Sequence, residues 1–216
     1  MAKRETFRIY SITDARLVQL ADGVADCVER DLAELAMYGI TQATVDDLRA
    51  ARNAFDDIAP DNYFNAQVSA TTEKKNLLAD ELRLVTRGIM TRVENKFTAM
   101  SDEYLRFGTA SLSRMNDLEL HHCSLRVHKK ATELLNELVS EGLTIAILDD
   151  LLQKATGFDA TLANHFDAKR NRDIATTERI SRGNTLYRFV VKLTNTGKDY
   201  WATRNEAKYN DYLLSG

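Results

Sequence analysis

The sequence predicts an all-α protein: a helical bundle of two tandem, pseudo-twofold related three-helix repeats with long antiparallel helices. Three observations carry that expectation. One proline and nine glycines in 216 residues leave few points of punctuation, so elements run long. Ala, Leu, Glu, Lys, Arg and Asp dominate, and apolar residues recur three and four apart, the period of a helix with one buried face. The third observation is a repeat. At a constant spacing of 103 residues, Gly39/Gly142, Thr41/Thr144, Ala43/Ala146, Asp46/Asp149, Asp47/Asp150, Leu48/Leu151, Phe55/Phe158 and Asp56/Asp159 are identical. Unrelated stretches of that length share about one residue, so an internal duplication explains the match. It continues loosely: DNYFNA (61–66) is echoed by ANHFDA (163–168), ATTE (70–73) by ATTE (175–178), and SDEYLRF (101–107) by EAKYNDY (206–212).

Each half then follows one plan. A first helix is predicted from about Asp14 to Tyr38, and its counterpart from Asn116 to Glu141. Gly39 and Gly142 stand where a left-handed C-cap belongs, and Thr41 and Thr144 where the next helix needs an N-cap. A short second helix follows, near 42–57 and 145–157. The third is long, 62–98 and 164–195. In its first copy Val68, Thr71, Leu78, Leu82, Val85, Ile89 and Val93 keep a near seven-residue rhythm, which suits a lengthwise seam. In the second copy Gly183-Asn184 predicts a bend or a break. A short aromatic helix closes each half, pairing Tyr104 with Tyr209 and Phe107 with Tyr212, and TRNE (203–206) reads as a capping box. Residues 108–115, GTASLSRM, form the only joint, so the repeats are 1–108 and 109–216, packed together as one compact bundle domain.

Composition narrows the function. A net charge of −3 gives no electrostatic reason to expect nucleic acid or an anionic membrane as partner. No apolar run reaches the length of a bilayer span, and MAKRETFRIYS lacks the apolar stretch of a secretory signal. Cys27 and Cys123 make no disulfide framework. A reducing cytoplasm is the expected location.

The stretch NDLELHHCSLRVHKK (116–130) holds three of the four histidines and one cysteine, which invites a metal reading. Placed on a helix at 100° per residue, the candidate ligands diverge. Cys123 joins an apolar stripe with Leu120, Val127, Ala131, Leu134 and Leu138, as Cys27 does among Leu17, Leu20, Val24 and Leu35. His122 points among Glu119, Arg126, Lys129, Glu133 and Glu137, a solvent face. His121 and His128 lie on a second, softer stripe with Leu118, Leu125, Thr132 and Leu135, about 10.5 Å apart along the axis, too far to share an ion. Glu119-x-x-His122 has di-iron spacing, but the other half places Arg16 and Gln19 there, so the motif is not repeated. No metal, cofactor or catalytic residue is assigned.

No phosphate loop, nucleophile elbow, HExxH or paired CxxC is present. The acid pairs Asp46-Asp47 and Asp149-Asp150 read as first-turn acids that complement the helix dipole. KRNR (169–172) reads as a solvated face.

Residues 197–214, GKDYWATRNEAKYNDYLL, hold the only tryptophan and three tyrosines. Through Gly197, Trp201, Ala207, Lys208, Tyr209, Asn210, Asp211 and Tyr212, together with the helical duplication, the chain resembles a group of all-helical proteins of Bacteroidota that carry no assigned activity. The resemblance implies the fold alone. Packing of the aromatic tail onto the bundle, with Trp201 as its anchor beside Gly183-Asn184, is the expected use of these side chains.

The function expected from all this is non-enzymatic: a helical bundle acting by protein–protein contact, with a second copy of itself or another protein as partner. The alternative is a bundle binding a small ligand or metal in a pocket between the repeats.

Overall fold

The structure is a computed structural model that describes residues 7–99, 101–109 and 111–213. It is all-helical, with no strand among those residues. Helix α1 (Asp14–Arg30) starts where the Thr13 hydroxyl accepts from the Arg16 N–H at 3.2 Å. It buries Leu17, Ala21, Val24, Ala25 and Val28 on one stripe and stops at Asp31. One further turn, α2 (Leu32–Leu35), and a 3-10 turn (Ala36–Tyr38) lead to Gly39, whose φ of 73° is the left-handed cap the sequence predicts. Helix α3 (Gln42–Asp56) follows, its N-terminus closed by Thr41 and Thr44 in a reciprocal box. Helix α4 (Asp61–Phe97) buries Ala79, Leu82, Thr86, Ile89, Met90 and Val93; of the expected seam Leu82, Ile89 and Val93 are buried, while Val68, Thr71, Leu78 and Val85 are half-buried. Ser101 caps α5 (Asp102–Leu105).

The second half repeats the first three steps with the same residue counts. Helix α6 (Asp117–Glu133) starts in a box between Asn116 and Glu119. It breaks at Leu134, whose φ and ψ of −100° and 11° match the −103° and 17° of Asp31. Then come α7 (Leu135–Leu138), a 3-10 turn (Val139–Glu141) and Gly142 at φ 79°. The two predicted first helices are therefore each interrupted once, at positions where neither glycine nor proline announces it.

The halves diverge next. The predicted helices at 145–157 and 164–195 are one unbroken helix, α8 (Ile145–Trp201). The reason is the chain's only proline. Pro60 cannot donate to a helical carbonyl and bars the helical conformation before it, so α3 ends and α4 begins around it. At the same spacing the second half has Ala163, which propagates a helix freely. The expected break at Gly183-Asn184 is also absent. Both residues are buried, and a Cβ on Gly183 would lie 3.0 Å from Phe55 Cε2 and closer still to the Tyr10 hydroxyl. Asn184 accepts from the Ile9 N–H at 3.0 Å and donates to the Phe7 carbonyl at 2.9 Å. The pair is a docking notch for the N-terminal segment. Helix α9 (Glu206–Asp211) is capped by Asn205, which accepts from the Lys208 N–H, rather than by Thr203.

The chain divides into two compact units that do not follow the boundary at 108/109. The first joins residues up to Tyr63 with those from Arg172 onward; the second spans Phe64–Asn171. In the first, Leu17, Val24, Val28, Leu35, Val45, Leu48 and Phe55 pack with Leu186, Val190, Leu193, Trp201 and Tyr212. In the second, Leu120, Cys123, Val127, Leu138, Leu148, Leu151 and Phe158 pack with Leu82, Ile89, Val93 and Phe107. Each core thus takes its two-helix hairpin from one half of the sequence and its third helix and tail from the other. Segment 108–115, read as the joint, is a connection inside the second unit: Gly108 turns at φ 64° and Leu112 is buried.

Candidate functional site

In the second unit, α6 presents the histidine cluster much as its helical wheel predicts. Cys123 is buried, its thiol pushed up by burial. His122 is exposed, and His121 and His128 are half-buried. His121 Nδ1 stands 3.8 Å from Asp159 Oδ1 on α8. The fourth histidine, His165, lies near the Thr71 and Thr72 hydroxyls at 3.3 and 3.5 Å. Desolvation, with Lys169 and Lys75 adding like charge, pushes its pKa down. Lys75 is itself engaged by Asp117 at 2.5 Å. Among the described residues no three His, Cys, Asp or Glu side chains come together as a metal group. The acid pairs lie on helix surfaces: Asp46 accepts from Gln42 and Asp150 from Lys154.

The first unit holds a polar cluster that the helical pattern did not single out. Asp31 is fully buried at the end of α1. Its Oδ1 accepts from Arg30 Nε at 2.9 Å and Lys208 Nζ at 2.8 Å. Its Oδ2 accepts from Arg30 Nη2 at 2.8 Å, Trp201 Nε1 at 3.0 Å and the Tyr212 hydroxyl at 3.1 Å. Lys208 also sits 4.1 Å over the Trp201 ring, and Arg30 Nη1 reaches Asp211 at 2.7 Å. Burial alone would raise the carboxyl's pKa, but the hydrogen bonds from Arg30, Lys208 and Tyr212 outweigh it and hold Asp31 well below the usual carboxylate range. Burial, then the Asp31 charge, pushes the Tyr212 phenol far up. A carboxylate pinned as an anion, with every lone pair taken, cannot serve as a general base near neutrality. It holds the tail. A signal was present in the sequence: Cys27, Asp31 and Leu35 fall four apart, an acid on an otherwise apolar stripe.

The second unit builds the same place without charge. Leu134 stands where Asp31 does and Glu133 where Arg30 does; in the tail, Phe107 takes the buried place of Tyr212, Tyr104 follows its cap as Lys208 does, and Phe97 ends its helix as Trp201 does. Phe107 is as fully buried as Tyr212.

Large apolar side chains also remain on the surface of the second unit. Leu77 and Leu84 on α4 are 61% and 67% exposed, and Ile145, Leu152 and Phe166 on α8 are 64%, 39% and 60% exposed. Their spacings of seven and fourteen residues place each set along one side of its helix. A groove of about 540 Å³ runs beside α6, lined by Met115, Leu118, Glu119, His122 and Arg126. No helix is long and apolar enough to cross a membrane among the described residues. Compared with known protein families, curated proteins and solved structures, the chain matches none.

Proposed function

We propose that the protein acts by protein–protein contact rather than by chemistry, as an internally duplicated helical bundle whose partner is a second copy of itself. The observation that carries this reading is the pair of surface stripes, Leu77–Leu84 on α4 and Ile145–Leu152–Phe166 on α8. Scattered apolar residues on a surface need no explanation, whereas sets in seven-residue register are what a helix offers to another helix. The polar clusters favour the same reading, because Asp31, Lys75 and Asp117 are engaged with other side chains of the same unit. Duplication is supported by the matching lengths of α1 and α6, the matching breaks at Asp31 and Leu134, and the left-handed Gly39 and Gly142. We place the protein in a reducing cytoplasm, consistent with two free cysteines, Cys27 and Cys123. Neither nucleic acid nor membrane is proposed as partner.

Sedimentation velocity tests the proposal. The wild type should show a concentration-dependent dimer, and Leu77→Glu with Leu84→Glu, or Ile145→Glu with Leu152→Glu, should abolish it without loss of helicity. A wild type that stays monomeric at high micromolar concentration, or a dimer indifferent to all four substitutions, would refute it.

A further inference from the structure

A chain with two similar hairpins and two similar third helices faces a pairing problem. Each hairpin presents a first helix broken at the same place, an apolar stripe and a left-handed glycine. Each third helix is followed by a short helix and, just past its end, an aromatic residue, Phe107 or Tyr212, that is fully buried in a core. Apolar burial is non-directional and scales with area, so it gives little reason for a hairpin to prefer one third helix over the other. Yet each hairpin packs on the third helix and tail from the opposite half.

We infer that the buried network around Asp31 is the device that decides which third helix and tail each hairpin accepts. The choice rests on three donors that only the C-terminal tail carries: the indole N–H of Trp201, the ammonium of Lys208 and the hydroxyl of Tyr212. Arg30 is a neighbour of Asp31 in the chain and contributes equally to either pairing. If the internal tail docked at Asp31 instead, Phe97 and Phe107 would bring rings without a donor, and Tyr104 a neutral phenol where Lys208 brings an ammonium. A carboxylate with no solvent exposure would then keep Arg30 as its only cation and lose the indole and Tyr212 donors, and an under-satisfied buried charge is costly. The opposite error is penalised as well. Seated against Leu134, the Tyr212 hydroxyl and the Trp201 N–H would be buried with no acceptor from that residue. The network therefore discriminates in both directions, by what it accepts and by what it leaves unpaired.

The test removes the acceptor and the phenolic donor, with Asp31→Leu and Tyr212→Phe in the full chain. The Arg30 and Lys208 side chains are 43% and 28% exposed and can turn to solvent when the carboxylate goes, so folding should survive at reduced stability while the choice is lost. The single tryptophan reports the outcome, since each docking arrangement gives its own indole N–H resonance. Wild type should show one resonance and one size-exclusion peak. The double variant should keep its helical circular dichroism but show two or more indole resonances, or tail-exchanged assemblies that elute apart from the wild-type peak. Tyr212→Phe alone leaves Asp31 with Lys208 and Trp201 and should keep the single resonance. One sharp resonance and the wild type's own elution peak in the double variant would overturn the inference, since apolar packing would then suffice to choose. Complete unfolding of the double variant would overturn it too, because the network would be holding the unit together and not selecting its parts.

Discussion

Gly197, in the last third of α8, sets two effects of opposite sign against one another. A glycine inside a helix is worse than alanine by about 1 kcal/mol, so Gly197→Ala looks stabilising from the sequence. A Cβ built there would lie 2.5 Å from Tyr212 Cγ and nearer still to two other ring atoms. The ring cannot slide away without leaving Asp31, to which its hydroxyl donates at 3.1 Å. The substitution must expel Tyr212, and losing a fully buried large aromatic costs about 3–5 kcal/mol. The steric term wins, and the net should be about 2–4 kcal/mol of destabilisation. With a urea slope of about 1–3 kcal/mol/M, the midpoint followed by Trp201 emission should fall by roughly 1 M or more. Gly157 is the matched control, on the same helix with nothing within 4 Å of an added Cβ; Gly157→Ala should stabilise by up to about 1 kcal/mol. In a Tyr212→Ala background Gly197→Ala should turn neutral or stabilising, because the obstruction is gone. If Gly197→Ala stabilises the wild type as Gly157→Ala does, Tyr212 is not seated on α8 and the account of the tail fails.

Trp201→Ala should cost about 3–5 kcal/mol, since the indole is buried against Lys208 and Asp31; wild-type emission should be blue-shifted until unfolding, and a solvated indole spectrum in the native protein would contradict this. Acid should weaken the first unit in a defined window. Asp31 is held below its ordinary value in the fold, so its contribution is present above about pH 4 and fades as pH falls further; urea midpoints from pH 7 to 3 should show the loss, reduced in Asp31→Asn. His165 titrates in a higher window: its folded pKa is lowered, so the unfolded chain takes the proton first and stability declines as pH drops below about 6.5. His165→Gln should flatten that small slope in melting temperature between pH 7.5 and 5.5. Finally, cleavage at a protease site inserted near the exposed Ser113 should leave both fragments co-eluting under native conditions, because each core draws on both; fragments that separate without denaturant would contradict the division into units.

Local rules carried the fold class and most of its elements. Periodicity marked α1, α4 and α6, and Gly39 and Gly142 took the left-handed caps assigned to them. Repeat analogy then misled where composition had changed: the break seen at Pro60 was transferred to a second half that has Ala163 instead. Gly183-Asn184 read as a helix breaker because its reason is tertiary, namely room for Tyr10 and Phe55 and two hydrogen bonds to the Phe7–Ile9 backbone. The exchange of third helices left no periodic trace, since an apolar seam shows that a helix is covered and not which hairpin covers it. What separates them is a handful of side chains that meet Asp31 from 170 to 181 positions away. Sequence spacing is blind to such partners, although an acid on the apolar stripe of α1 marked that something had to meet it.

The interleaved composition of the two units also governs the order in which a ribosome can deliver them. Residues 64–171 emerge as one uninterrupted stretch, so the second unit has all its parts once Asn171 leaves the exit tunnel. The first unit has no such luck. Its hairpin, Asp14–Asp56, is synthesised early and must wait with Leu17, Val24, Val28 and Leu35 uncovered until α8 and the residues up to Tyr212 arrive. At about 5–20 residues per second that wait lasts on the order of 10–30 s, long on the scale of helix formation and ample for a holdase chaperone to bind. A truncation that removes Tyr212 would leave that surface without its last cover, so nascent-chain quality control should weigh on residues 197–212 more heavily than on the second unit.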